Sequence, residues 1–266
     1  MPTHNRPRVL VVEDEPDMNN LLADVLRAFD FEPVQAVDGQ EALDRLREQL
    51  PDAVLLDLML PGISGYELCR RLKTCRETAA IPVLILTALD RQPDRRTAFK
   101  TGADDYMTKP FAPDALVGRL HDCLQEAHRA AEHTTGQVRL AVEPTGHLTD
   151  LKVPNALATT LYQRTDLPAE TIETLREHLS ALVEAAGAWA ADLAGTPIVR
   201  VTMTLDADHL RITFDPLTER AEAFLAEHLG PQAAAPAALA DANAVDGVQQ
   251  QGGSAVMEKA LGSAEG

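Results

Sequence analysis

Residues 53–65 read Ala-Val-Leu-Leu-Asp-Leu-Met-Leu-Pro-Gly-Ile-Ser-Gly, and this stretch decides how the first half of the chain folds. Its first eight residues form an apolar run that is typical of a strand buried on both faces of a parallel sheet. Asp57 interrupts the run near its end, and Pro61-Gly62 then predicts a turn. A buried carboxylate is unfavourable unless a charged group meets it. Asp57 therefore either lies just past the strand and caps the next helix, or belongs to a ligand site at the carboxyl end of the strand.

Three other predicted strands of the first half, at residues 8–12, 82–86 and 105–108, also run into polar residues, and a fourth, at residues 31–36, contains a proline that marks it as an edge strand. In an open sheet of parallel strands, all the carboxyl ends lie along one edge, where ligands bind. If these strands are parallel neighbours, that edge gathers five polar side chains: Glu13, Asp14, Asp57, Thr87 and Lys109.

The chemistry of this predicted cluster points to phosphoryl transfer. One lysine cannot balance three carboxylates that lie within a few ångströms of one another. A hard divalent cation can, and Mg²⁺ held by carboxylates together with phosphate oxygens is the usual solution. The ammonium of Lys109 and the hydroxyl of Thr87 are suitable partners for phosphate oxygens. The cluster therefore predicts a site at which Asp57 is the acceptor nucleophile.

Four motifs in this half, taken in order and at their spacings, resemble the receiver domain of two-component response regulators. The resemblance covers roughly residues 7–125, about half of the chain. The motifs are Val11-Val-Glu-Asp-Glu-Pro16, Leu55-Leu-Asp-Leu-Met-Leu-Pro-Gly-Ile-Ser-Gly65, Leu86-Thr-Ala88 and Asp105-Tyr-Met-Thr-Lys-Pro-Phe111.

The resemblance implies a role for each matching residue. Asp57 would be the phosphoacceptor, and Thr87 and Lys109 would bind the phosphoryl group. Tyr106 would be the aromatic partner of Thr87 in a conformational switch, and Lys109-Pro110 would be a cis peptide. The domain would catalyse its own phosphoryl transfer and dephosphorylation. The Mg²⁺ ligands would be the carboxylates of Glu13, Asp14 and Asp57 and the main-chain carbonyl of Met59.

Strands that alternate with helices through residues 1–125 predict an α/β fold with a doubly wound, five-stranded parallel sheet. The resemblance implies the strand order 2-1-3-4-5. Helices are predicted at residues 16–29, 38–50, 91–101 and 112–132, with another that begins after Ser64. The first of these is expected to bury Met18, Leu21, Leu22, Val25 and Leu26.

The rest of the chain has a different layout. Residues 126–136 predict a helical linker, which either frays at its end or also dimerises. Residues 137–230 predict a smaller α+β output domain. Residues 231–266, rich in Ala, Gly and Gln, are expected to form a disordered tail. Within 137–230, strands are predicted at 138–142, 148–153, 198–205 and 209–214, and helices at 156–164, 168–190 and 217–229.

The order of a long helix and then a hairpin more distantly resembles the ATP-binding domain of anti-sigma-factor serine kinases and histidine kinases. In that family the long helix carries Glu-x-x-x-Asn, whereas the matching frame here is Glu184-Ala-Ala-Gly-Ala188. Asp215-Pro-Leu217 likewise lacks the glycine of the family. The resemblance therefore implies a degenerate copy that does not hydrolyse ATP, and an unrelated α+β interaction domain is the alternative.

The charge balance limits the classes of output. The whole chain carries a formal charge of −17, and residues 126–266 contain nine basic against twenty acidic residues. A DNA-binding domain needs a basic face to neutralise phosphates, and no predicted helix here carries a basic cluster. A role at an anionic membrane surface is disfavoured for the same reason. A protein partner is therefore the expected target of the output domain.

The sequence thus predicts a response regulator that accepts a phosphoryl group on Asp57 and signals through a protein-interaction domain. Its expected partners are a sensor histidine kinase or phosphotransfer protein, an output protein, and in one reading a second copy of the chain. The alternatives are a receiver-gated kinase or phosphatase and a transcription factor. The absence of an apolar leader and the three cysteines, which show no metal-ligand spacing, suit a cytoplasmic location.

Overall fold

The computed structural model divides the chain into two compact units, Met1–Glu132 and His133–Gly266. It describes residues 6–88, 97–132, 138–144, 148–192, 199–206, 209–219, 223, 247–251 and 254–260. No helix in these ranges is long and apolar enough to cross a membrane.

The first unit is built on a parallel five-stranded sheet in the order β2-β1-β3-β4-β5, so the predicted fold class and strand order are confirmed. Two neighbouring interior strands, Ala53–Leu56 and Val83–Thr87, are almost completely buried, as their continuous apolar sequences require. Val11 pairs with Leu55 and Leu55 with Leu84, which brings the carboxyl ends of these strands to one edge. The strands are β1 (Arg8–Val12), β2 (Glu32–Ala36), β3 (Ala53–Leu56), β4 (Val83–Thr87) and β5 (Asp105–Thr108).

The described helices of this unit are α1 (Pro16–Ala28), α2 (Gly39–Glu48), α3 (Gly65–Lys73) and α4 (Pro113–Glu132). Asp38 caps α2 by accepting a hydrogen bond from the Glu41 N–H at 2.8 Å. Ser64 caps α3 in the same way through the Glu67 N–H at 3.3 Å. Of the helix predicted at 91–101, residues 97–100 are helical, and residues 91–96 lie outside the described residues.

The buried face of α1 only partly matches the predicted face. Leu22 and Leu26 are buried as expected, but Leu21 is 55 % exposed. The fully buried residues of this helix are Asn19, Leu22, Ala23 and Leu26, which follow the i, i+3, i+4, i+7 pattern. A polar residue therefore occupies one position of the apolar stripe.

The second unit combines helices with an antiparallel sheet in the order β6-β7-β8-β10-β9, so its predicted α+β class is confirmed. Strands Val199–Leu205 and His209–Pro216 pair antiparallel, with Met203 opposite Ile212, and the side chains of these two residues are both buried. The elements are β6 (Val138–Val142), a 3₁₀ turn (Leu148–Leu151), α5 (Lys152–Arg164), α6 (Ala169–Asp192), β7 (Val199–Leu205), β8 (His209–Pro216), β9 (Gly247–Gln251) and β10 (Ser254–Ala260).

Two predictions for this unit are wrong. Residues 148–153, expected to be a strand, form the 3₁₀ turn and the start of α5. Leu148 and Leu151 are three residues apart, which is a helical spacing, and Pro154 in the first turn lacks the N–H that a strand ladder needs.

Residues 247–251 and 254–260, expected to be part of a disordered tail, form a hairpin that extends the sheet along β8. Composition could not show this, because the hairpin is stabilised by pairing with residues about 45 positions earlier in the chain. The rest of the expected tail lies outside the described residues, as does most of the helix expected at 217–229.

Candidate functional site

Asp57 follows β3 directly and lies at the carboxyl edge of the first sheet. Its N–H continues the ladder by donating to the Val12 carbonyl at 3.0 Å. Its side chain is buried, and Oδ1 accepts a hydrogen bond from the Met59 N–H at 3.0 Å. Because Ser64 caps α3, Asp57 is not the cap of the next helix. Of the two readings that the sequence left open, the structure excludes the helix cap, and the ligand-site carboxylate stays a prediction.

Lys109 joins two carboxylates that come from different strand ends. Its Nζ donates to Glu13 Oε2 at 2.5 Å and to Asp57 Oδ2 at 2.5 Å. The Lys109 N–H donates to the Thr87 carbonyl at 2.9 Å, so the end of β4 holds the main chain of the lysine. The Lys109–Pro110 peptide bond is cis, as expected from the resemblance.

Burial and charge act in opposite directions on the groups of this cluster. Burial raises the pKa of Glu13 above its usual value, although the hydrogen bond and charge of Lys109 act to lower it. Burial alone would lower the pKa of Lys109, but its hydrogen bonds to Asp57 and Glu13 outweigh this and leave the pKa raised. Lys109 is therefore a cation that stays protonated throughout the physiological range.

The remaining predicted site residues occupy different environments. Thr87 is fully buried at the end of β4, and Tyr106 is 7 % exposed on β5. Asp14, next to Glu13, is exposed to solvent. The Met59 side chain is 62 % exposed, while its main chain bonds to Asp57. The structure thus brings Glu13, Asp57 and Lys109 into direct contact, and the chemical roles of all these residues stay predictions.

The chemistry of the residues at this edge suits a divalent cation with oxygen ligands, and their role as its ligands stays a prediction. Glu13, Asp14, Asp57 and Lys109 together carry a formal charge of −2, because the single ammonium balances only one of three carboxylates. Carboxylate and carbonyl oxygens are the ligands that Mg²⁺ prefers. Among the residues that the structure describes, no three His, Cys, Asp or Glu side chains lie close enough together to hold a metal ion by themselves. A bound Mg²⁺ would therefore keep several water or phosphate ligands, which is its normal behaviour.

Asn19 is a part of this edge that the sequence analysis missed. Its side-chain amide nitrogen donates to the carbonyl of Glu13 at 2.7 Å and to that of Ala36 at 2.9 Å. Its Oδ1 accepts from Gln35 Nε2 at 2.8 Å. The signal in the sequence is an asparagine on the apolar stripe of α1, since a buried amide requires polar partners.

Gly65, the first residue of α3, permits the close approach of that helix to the end of β3. A Cβ at this position would lie 2.1 Å from the Asp57 carbonyl oxygen and 2.6 Å from the Leu58 Cα. Both are main-chain atoms, so they cannot move aside as a flexible side chain would. The Gly65 N–H also donates to the Leu58 carbonyl at 3.1 Å.

We expect Gly65→Ala to lower the free energy of unfolding of the chain by about 3 kcal/mol, because the methyl group forces the main chain beside Asp57 to move. Chemical denaturation followed by circular dichroism measures this. Gly118→Ala is the matched control: apart from its own stretch of α4, no atom lies within 4 Å of an added Cβ, so this variant should stabilise the chain by about 0.5–1 kcal/mol. Equal stabilities for the two variants would contradict the assigned role of Gly65.

The profile of the response regulator receiver domain family matches residues 9–121. Residues 9–121 are a response regulator receiver domain. The domain contains β1 to β5, Glu13, Asp57 and Lys109, and it is the type of domain found in two-component systems.

Individual proteins are similar to this chain over about half of its length. The chain is 42 % identical over 141 residues to the phosphate regulon transcriptional regulatory protein PhoB of Escherichia coli K12, a match that covers 53 % of this chain and 62 % of PhoB. It is 39 % identical over 131 residues to the DNA-binding dual master transcriptional regulator RpaA of Synechocystis, covering 48 % and 54 %. Among solved structures, the receiver domain of Francisella response regulator 1452 is 31 % identical with a TM-score of 0.42, covering 45 % of this chain and 98 % of that domain. The matches thus span roughly half of this chain and little more than half of the curated relatives.

Proposed function

We propose that the receiver domain accepts a phosphoryl group on Asp57 from the phosphohistidine of a sensor kinase or phosphotransfer protein. The observation that carries this proposal is the contact of Lys109 Nζ with Asp57 Oδ2 at the carboxyl edge of the sheet. A buried carboxylate with a fixed cation beside it can become an acyl phosphate whose new negative charge already has a partner.

In the proposed step, an Oδ atom of Asp57 forms a bond to phosphorus while the bond from phosphorus to the donor imidazole nitrogen breaks. The electron pair of that bond stays on the imidazole. Lys109 and the Thr87 hydroxyl would donate hydrogen bonds to the phosphoryl oxygens. The predicted Mg²⁺ ligands are Glu13, Asp14, Asp57 and the main-chain carbonyl of Met59. Because no three of these side chains lie close enough together to hold a metal ion by themselves, part of the set would reach the ion through its water ligands. When bound, the ion would neutralise charge on the transferred group.

The test of this proposal is to incubate the purified full chain with acetyl phosphate and Mg²⁺ and to measure the mass change of the intact protein. One phosphoryl group per chain is expected, and peptide mapping should place it on Asp57. Chelation of Mg²⁺ should prevent the labelling. A label on a histidine, or none under any condition, would overturn the proposal.

We further propose that the second unit acts through a protein partner and not through DNA. In the described part of this unit, three arginines are each paired with a carboxylate: Arg176 with Glu173, Arg200 with Glu143 and Arg211 with Glu258. Neutralised arginines in an acidic domain give little attraction for a phosphate backbone. Because PhoB and RpaA are described as transcriptional regulators, DNA binding is the alternative. A mobility shift with genomic DNA fragments at low salt separates the two, since salt-sensitive binding would favour DNA.

The route from Asp57 to the output would pass through Thr87 and Tyr106. These residues lie on adjacent strands, with Ile85 paired to Tyr106 and Thr87 to Thr108. Both are buried, so a shift of the Thr87 hydroxyl toward a phosphoryl group changes the space available to the tyrosine ring. Two such arrangements form a two-state element whose equilibrium the phosphoryl group biases.

We expect beryllofluoride, a phosphoryl mimic, to change amide hydrogen exchange both in residues 97–132 and in the second unit. Exchange is measured by mass spectrometry on the full chain, and sedimentation velocity reports dimerisation in parallel. Asp57→Asn, which cannot bind the mimic, is the control. A change limited to the receiver domain together with an unchanged sedimentation coefficient would mean that the two units are merely tethered.

We also propose a cytoplasmic location. The chain has three cysteines, Cys69, Cys75 and Cys123, and the structure joins none of them in a disulfide. Cysteines outside disulfides, one of them exposed, suit a reducing compartment.

A further inference from the structure

The buried amide of Asn19 connects the ends of two strands. Asn19 lies in the first turns of α1 and is 1 % exposed. Both hydrogens of its amide group are used on main-chain carbonyls, that of Glu13 just after β1 and that of Ala36 at the end of β2. The Ala36 carbonyl also accepts from the Glu13 N–H at 3.2 Å. Asn19 therefore closes a small ring of hydrogen bonds around the main chain of Glu13.

The orientation of the Asn19 amide is itself fixed. Gln35 Nε2 donates to Asn19 Oδ1 at 2.8 Å, so the amide cannot turn over without losing this bond and both of its donor bonds. Gln35 also donates to Oδ1 of the exposed Asn20 at 3.1 Å. The result is a chain of contacts from Gln35 on β2 through Asn19 to the main chain of Glu13.

This arrangement matters because Glu13 begins the acidic segment of the site. The carboxylate of Glu13 meets Lys109, and Asp14 is the next residue along the chain. The directions in which both side chains leave the main chain depend on the peptide that joins them, and its carbonyl is the one that Asn19 holds. A neutral amide does this without adding a charge beside two carboxylates.

We propose that Asn19 is a positioning residue that sets the orientation of Glu13 and Asp14 for binding a divalent cation. The inference rests on the proposed function, because it assigns these acids to the Mg²⁺ site of phosphoryl transfer. Groups that orient metal ligands without touching the metal typically change metal affinity 10–100-fold when they are replaced. The alternative is that Asn19 only stabilises the fold.

The test measures Mg²⁺ binding to the full chain by isothermal titration calorimetry, with the Mg²⁺ dependence of labelling as a second readout. Asn19→Leu removes both donor bonds and keeps the number and branching of the side-chain heavy atoms. Gln35→Leu removes the bond that orients the amide, together with the bond from Gln35 to Asn20. Asn20→Leu is the matched control, since it makes the same replacement at the exposed neighbour. Val25→Ala on the same helix is the control for lost stability, because Val25 packs on the core and has no role at the site.

We expect Asn19→Leu to weaken Mg²⁺ binding about tenfold, Gln35→Leu to weaken it less, and both controls to stay within about twofold of the unmodified chain. The labelling rate of Asn19→Leu should recover at saturating Mg²⁺. Mg²⁺ affinity within twofold for Asn19→Leu would overturn the inference, as would an equal loss in Val25→Ala. If the chain binds Mg²⁺ but takes no label on Asp57, the proposed function fails while the calorimetric comparison still decides the role of Asn19.

Discussion

Asp57→Asn is expected to reduce labelling by acetyl phosphate to background while the chain stays folded. Asparagine has the same shape as aspartate and keeps an oxygen that can accept the Met59 N–H, so the turn after β3 is preserved. Its amide is not a nucleophile and forms no acyl phosphate. Lys109 keeps Glu13 as a partner, so no buried charge is left alone. Intact-protein mass spectrometry measures the label, and a denaturation curve verifies the fold.

Asp52→Asn is the matched control for this prediction. Asp52 is an exposed acid one residue before β3, where it accepts a hydrogen bond from the Arg8 N–H at 2.6 Å. The Asp52→Asn variant should be labelled like the unmodified chain, because Asp52 lies at the opposite end of β3 from Asp57. Full labelling of Asp57→Asn would show that another residue is the acceptor, and equal loss in both variants would show that the assay reports folding and not chemistry.

The architecture of the receiver domain could be predicted because its signals are local. Apolar runs such as Ala53–Leu56 are too continuous for a sheet with one exposed face, and polar residues mark where each strand ends. Asp57 can be identified as a candidate site residue for the same reason, since a carboxylate is unexpected in such an apolar run. The sequence could also show that Asp38 and Ser64 begin helices, because capping depends on residues only three positions apart.

The features that the sequence analysis missed depend on distant contacts. The hairpin of β9 and β10 is ordered by β8, and no property of residues 247–260 alone reveals that partner. Asn19 stands on the apolar stripe of α1, but its partners Glu13, Ala36 and Gln35 are identified only when the structure places them around it. Polar networks and sheet edges are therefore the parts of a fold that composition and periodicity describe least well.

Lys109 is the cation that the two buried carboxylates of the site share. We expect Lys109→Met to lower the free energy of unfolding by roughly 3 kcal/mol near neutral pH without Mg²⁺, because it leaves two buried carboxylates without their shared partner. Methionine retains much of the volume of the side chain, so the loss reports charge. The measurement is chemical denaturation over a range of pH. Lys100→Met, at an exposed position of the same unit, is the control and should have little effect.

The pH dependence of this loss distinguishes electrostatics from packing. In the unmodified chain the pKa of Lys109 is raised on folding, so its stabilisation is complete below the unfolded value of 10.5 and is lost as pH rises through the folded value. In the variant the pKa of Glu13, already raised by burial, rises further without the lysine. The folded variant then binds protons more readily than the unfolded chain, so its unfolding free energy increases as pH falls from neutral toward 4.5. The difference in unfolding free energy between the unmodified chain and Lys109→Met should therefore be largest near neutral pH and smaller in acid.

Saturating Mg²⁺ should also reduce this difference, since the ion replaces the missing positive charge between the carboxylates. A difference in unfolding free energy that is the same at every pH would mean that Lys109 contributes packing alone. The electrostatic account of this site would then be wrong.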